Sequence, residues 1–146
     1  LAGCDRLSDE DFESLSKLIY LRNVYLHNSA AGDVAVRSLR GATRLSELQV
    51  GGPNLSDRGM RHVCDLVSLN NLTITKEATN VTDQGLADCW QLTNLRNLSI
   101  HAPHVTGSGF ATLAELPNLQ RLSVGSVQLT DTAFIHLAKC VYTKRR

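Results

Sequence analysis

The sequence predicts an α/β solenoid, a curved stack in which short helices alternate with single parallel strands. Three observations predict it. Related segments start at residues 7, 31, 55, 81, 105 and 129, with spacings of 24, 24, 26, 24 and 24 residues, a period suited to stacked strand-and-helix units and too short for helix pairs. Each segment changes its apolar spacing half-way, from every third residue to every second. Seven positions per segment stay apolar from copy to copy.

The helical half comes first. Ser or Thr followed by Asp opens it at Ser8-Asp9, Ser56-Asp57, Thr82-Asp83 and Thr130-Asp131, a helix-start signal because the hydroxyl can accept a hydrogen bond from a free amide of the first turn. Apolar residues then fall three apart, as in Leu86, Cys89, Leu92 or Phe110, Leu113, Leu116, which predicts a short helix. The strand half follows. Leu95, Leu98, Ile100 and Leu119, Leu122, Val124 end each copy on alternating apolar residues, which predicts one short strand of a parallel sheet. The copy starting at Ala31 is the weakest. "KEATN", before Val81, carries a two-residue insertion expected to loop outward at a unit junction.

In the fourth copy the apolar set is Val81, Leu86, Cys89, Leu92, Leu95, Leu98 and Ile100. One copy cannot bury seven such residues, so neighbours must share an elongated core. Strands stack at about 4.8 Å, whereas packed helices need about 8 to 10 Å. The stack therefore curves, strands on the concave side and helices on the convex.

These residues resemble the leucine-rich repeat family, in particular the cysteine-containing type found in F-box ubiquitin-ligase subunits and in similar bacterial repeats. The opening "LAGCDRLSDEDFESLSKL" matches that type best, with Cys4 between a strand end at Leu1 and the next turn. The resemblance covers roughly residues 1 to 140 and implies a horseshoe-shaped, protein-binding fold. The register that normally holds Asn, Cys or Thr after the strand holds Ser29, Pro53, Pro103 and Val127 instead, leaving the family's loop-side hydrogen-bond ladder without its usual residues. Leu1 reads as the tail of a preceding strand, so the single domain spanning residues 1–146 is expected to be a fragment of a longer array.

Composition narrows the function. With 146 residues, 42% apolar content and a net charge of +1, the chain can build a core but carries no charge excess that would draw it to nucleic acid or an anionic membrane. No long apolar run or signal peptide is visible. Of the four cysteines, Cys89 and Cys140 stand in core registers and Cys64 one residue past one. Helices one unit apart lie beyond the roughly 7 Å Cα spacing of a disulfide, so no regular pairing is expected, and reduced cysteines imply a cytoplasmic or nuclear home. Four sequons, at Asn54, Asn71, Asn80 and Asn97, point instead to secretion, but Asn71 and Asn97 fall in expected strands and the repeat pattern itself generates the motif.

No catalytic signature survives inspection. His101 and His104 have no carboxylate or thiol close by in sequence to complete a metal site, and His27 and His101, three units apart in one register, are expected about 15 Å apart, too far to share an ion. "GSG" at 107–109 is a helix-entry turn, and the P-loop, GxGxxG and HExxH patterns are missing. Asp9, Glu10, Asp11 and Glu13 fall in a helix first turn, where negative charge suits the helix dipole. Neither enzyme activity nor a cofactor or metal is expected.

What varies is the concave face. Its columns read Asn23, Glu47, Asn71, Asn97, Arg121 and Tyr25, Gln49, Thr73, Ser99, Ser123, flanked by Arg22, Ser46, Asn70, Arg96, Gln120. Candidate partner-binding residues are Arg22, Asn23, Tyr25, Glu47, Gln49, Asn71, Thr73, Arg96, Asn97, Ser99, Arg121 and Ser123. Three arginines against one glutamate favour a protein partner with an acidic patch. The resemblance implies the substrate-reading arm of a ubiquitin-ligase adaptor. The alternatives are the recognition domain of a larger enzyme such as an effector ligase, and an extracellular or surface recognition domain.

Overall fold

The computed structural model describes residues 9–27, 30–125 and 128–143; the readings placed on Leu1, Cys4, Ser8, Ser29 and Val127, and on the side chains of Asp9, Glu10 and Cys140, lie outside what it describes. Five strands, β1 (Asn23–Leu26), β2 (Glu47–Val50), β3 (Asn71–Ile74), β4 (Asn97–Ile100) and β5 (Arg121–Val124), form one parallel sheet whose spatial order is the sequence order. Asn23, Glu47, Asn71, Asn97 and Arg121 stand side by side across it. The expected α/β class with an all-parallel sheet is what forms. Short helices precede and join the strands: α1 (Asp9–Glu13), α2 (Asp33–Ser38), α3 (Asp57–Cys64), α4 (Phe110–Leu113) and, after β5, α5 (Asp131–Thr143).

One face of the sheet is buried and the other open, as alternating side chains on a strand require. Leu26, Leu48, Leu72, Leu98 and Ile100 point into the core, while their strand neighbours are half-buried or exposed. All seven residues of the fourth apolar set are at most 2% exposed, inside a single cluster that runs from Phe12 to Ala133. On β5 the inward Leu122 and Val124 are only half-buried.

The crossovers differ more than the repeat suggests. Between β3 and β4 there is no α-helix; two 3₁₀ turns, Asp83–Leu86 and Cys89–Gln91, stand in its place. Leu86, Cys89 and Leu92 lie three apart and are buried, as are Phe110, Leu113 and Leu116 on and after α4, so the tighter and the wider winding fill the same core register.

Carboxylates tie three of the crossovers to the next. Asp33 accepts from the Ser56 amide (2.8 Å) and hydroxyl (2.6 Å), and Asp57 accepts from the Thr82 amide and hydroxyl, both at 2.7 Å. Asp83 accepts from the amides of Thr106, Gly107 and Gly109 and from the Thr106 hydroxyl. Ser56 and Thr82 also cap their own turns by accepting from the amides of Arg58 and Gln84. The Ser/Thr-Asp pair therefore does two jobs, one within its unit and one between units. Gly107 takes the Asp place in the next copy, at φ +93°, where a side chain would be strained and its Cβ would strike Ala133.

A loop-side ladder does form, one residue beyond the register expected for it: the side-chain amides of Asn54 and Asn80 donate to the carbonyls of Ala30 (3.0 Å) and Pro53 (2.6 Å). The expectation of unpaired cysteines is corrected outright. Cys64 and Cys89 form a disulfide, their Cα atoms 4.8 Å apart. The estimate from helix-axis spacing misled because Cys64 ends α3 and Cys89 lies in a 3₁₀ turn, so the two chains meet at a distance set by the sheet repeat rather than by the width of an α-helix.

Candidate binding face

The open face is held by side-chain bonds running from strand to strand. The Tyr25 hydroxyl donates to Glu47 Oε1 (3.1 Å), the Asn97 amide donates to Asn71 Oδ1, and Arg121 Nη1 donates to Asn97 Oδ1 (3.3 Å). These links follow from the register, which puts residues 47, 71, 97 and 121 opposite one another. The columns that vary are therefore laterally organised. Asn23, Tyr25, Arg121 and Ser123 are exposed, Glu47, Gln49, Asn71, Thr73, Asn97 and Ser99 half-buried, and the exposed Arg22 and Arg96 sit just before β1 and β4 at the amino-terminal edge of the sheet.

At the carboxyl-terminal edge lies an open depression of about 330 Å³, lined by His27, Gln49, Thr73, Thr75, Lys76, Glu77 and His101. Only Gln49 and Thr73 of these belong to the expected set. His27 and His101, the register-mates expected to lie too far apart to share an ion, line the same hollow. The expectation for the insertion holds in part, since it lies at a unit junction with Lys76, Thr79 and Asn80 exposed. Ala78 is fully buried, and Lys76 and Glu77 border the hollow at the strand ends rather than looping away from the sheet. Two glycines in the column after the strands, His27, Gly51, Thr75, His101, Gly125, leave space beside the hollow: a Cβ on Gly51 would strike the Thr75 side chain, and one on Gly125 would lie 2.8 Å from His101 Nδ1. Each glycine makes room for its neighbour's side chain. The signal was in the sequence, as an insertion and two histidines in one register.

The hollow is polar. The Thr75 hydroxyl is the largest influence on the Glu77 carboxyl and, with Lys76 and His27 assisting against burial, holds it below its ordinary range, although in this structure that hydroxyl completes no hydrogen bond. His27 Nδ1 is likewise buried without a partner. Ammonium, carboxylate, imidazole and hydroxyl groups thus face one space, suited to hydrogen-bonding a polar group at the carboxyl ends of the strands.

On the helical side a smaller hollow of about 110 Å³ is lined by Asp33, Val34, Arg37, Arg58 and His62. Burial, then the Arg40 charge, lowers the pKa of His62 against the opposing pull of Asp65. Among the described residues no group of three or more His, Cys, Asp or Glu could hold a metal ion, and no helix is long and apolar enough to cross a membrane. In the sequons, the side-chain amides of Asn54, Asn80 and Asn97 donate internally, and Asn71 Oδ1 accepts from Asn97.

No protein-family model matches the chain, and no curated protein matches it.

Proposed function

We propose that the chain is a leucine-rich repeat solenoid of the cysteine-containing type that binds another protein on its open strand face and carries out no reaction itself. The observation that carries this reading is the contrast within single strands: inward positions hold Leu, Ile or Val, while the outward neighbours change from Asn to Glu to Arg and are linked sideways into one surface. An uninterrupted strand order without a switch point supports a stack over a doubly wound sheet. The wider spacing of packed helices would curve that stack into a horseshoe.

The partner presents an acidic patch to Arg96 and Arg121. The role favoured by the sequence resemblance is substrate reading for a ubiquitin-ligase adaptor in the cytoplasm or nucleus. A second reading, an extracellular recognition domain, is favoured by the Cys64–Cys89 disulfide, since such bonds persist in oxidising compartments. The test is affinity capture from an extract with Arg96→Glu/Arg121→Glu beside wild type and the outer-face control Arg58→Glu. Loss of the captured protein with the double variant alone is expected. Equal capture by all three would move the site off this face.

A further inference from the structure

We infer that Cys64 and Cys89 form a redox-operated clasp that sets how firmly one wall of the carboxyl-edge hollow is held. The disulfide joins residues 25 apart in sequence, and the loop it closes contains β3, the Lys76–Glu77 insertion and the Thr82 cap. Four of the seven residues lining the hollow, Thr73, Thr75, Lys76 and Glu77, lie inside that loop, and His27, Gln49 and His101 lie outside it. The clasp thus closes on one side of the hollow only. It ties the last residue of α3 to a three-residue 3₁₀ turn, and the two sulfurs become accessible only through a local opening of that turn.

Both cysteines are buried, at 0% and 2% exposure, so exchange proceeds through that local opening. With a small-molecule disulfide as oxidant, a Cys64 or Cys89 thiolate attacks one of its sulfurs, forming a mixed disulfide and releasing one small thiol. The second cysteine, as thiolate, then displaces the other small thiol. Two protein thiols are oxidised by two electrons, the oxidant is reduced to two thiols, and the cysteine protons end on those thiols. Excess dithiol reverses the sequence.

The inference leans on the proposed binding role only in treating the hollow as part of the binding face, and its test needs no partner. The whole chain is equilibrated with glutathione disulfide or with dithiothreitol, alkylated, and mapped by non-reducing peptide mass spectrometry, which separates this pair from Cys4 and Cys140. Amide hydrogen exchange and melting are then compared between the two forms. The oxidised form should carry a Cys64–Cys89 cross-link, exchange at least several-fold more slowly across residues 71–88, and melt roughly 5 to 10 °C higher. Cys64→Ala/Cys89→Leu, which installs the residues that Ala114 and Leu113 supply at the same registers of the copy starting at residue 105, should fold, behave like the reduced form and ignore the oxidant. Two alkylated cysteines after oxidation, a bond that resists dithiothreitol in the folded protein, or indistinguishable exchange over 71–88 in the two forms would overturn the clasp. Failure of the capture experiment with an intact redox response would instead refute only the binding role.

Discussion

The carboxylate of Asp83 receives both the backbone amide (2.9 Å) and the hydroxyl (2.6 Å) of Thr106, 23 residues further along the chain. Burial alone would raise its pKa, but these bonds and those from the Gly107 and Gly109 amides outweigh it and hold the carboxyl below its ordinary value of 3.8. Asp83→Ala leaves several donors unmatched and should cost roughly 1 to 3 kcal/mol in urea unfolding. Because the folded state binds the proton less readily than the unfolded state, the stabilisation is present above pH 3.8 and fades as pH falls through the lowered folded value. The advantage of wild type over Asp83→Asn should therefore shrink between neutral pH and about pH 2. A gap that widens on acidification would show that the carboxylate is not the stabilising form.

Leu98 sits in the register held by Leu48, Leu72, Leu122 and Val24, and only 2% of it is exposed. Leu98→Ala should destabilise the protein by roughly 2 to 5 kcal/mol through lost transfer energy and the cavity left behind. An unchanged denaturant midpoint would contradict a shared core.

This register was fully legible in the sequence, and so was the parallel sheet, because both depend on local spacing alone. What depended on how units meet was not. The Ser/Thr-Asp pairs were visible as helix starts, but spacing along one copy cannot say that the carboxylate of Asp57 reaches the next copy's Thr82. The disulfide was missed for a related reason: an average helix separation says little about two residues at helix ends. The polar columns were placed correctly, whereas the hollow beside them depends on Gly51 and Gly125 yielding space to neighbours 24 residues away.

Gly51 gives a direct check on that last point. Adding a methyl group should cost roughly 1 to 3 kcal/mol by overpacking against Thr75, and Gly51→Ala/Thr75→Gly should recover part of the loss. A double variant no more stable than Gly51→Ala would mean that Thr75 is not what the glycine accommodates.

Removing Lys76 and Glu77 would restore the 24-residue spacing found elsewhere. The shortened chain should fold, with a melting shift of a few degrees at most, while the imidazole resonances of His27 and His101 move because their shared hollow has lost its border. Unaltered histidine signals in a folded deletion variant would detach the insertion from that site, and loss of folding would count against the assigned register.

The bonds between neighbouring units lend the molecule a mechanical grain. Sheet bonds and carboxylate links all run across the strands, so tension pulling β1 away from α5 would load the junctions in series, like links in a chain. At one junction the carboxylate is missing: Gly107 offers nothing, and Thr130 meets the Thr106 carbonyl through its amide (3.1 Å) and hydroxyl (3.3 Å). Under such tension α5 is the element that peels away first, while the block fastened by Asp33, Asp57 and Asp83 stays whole.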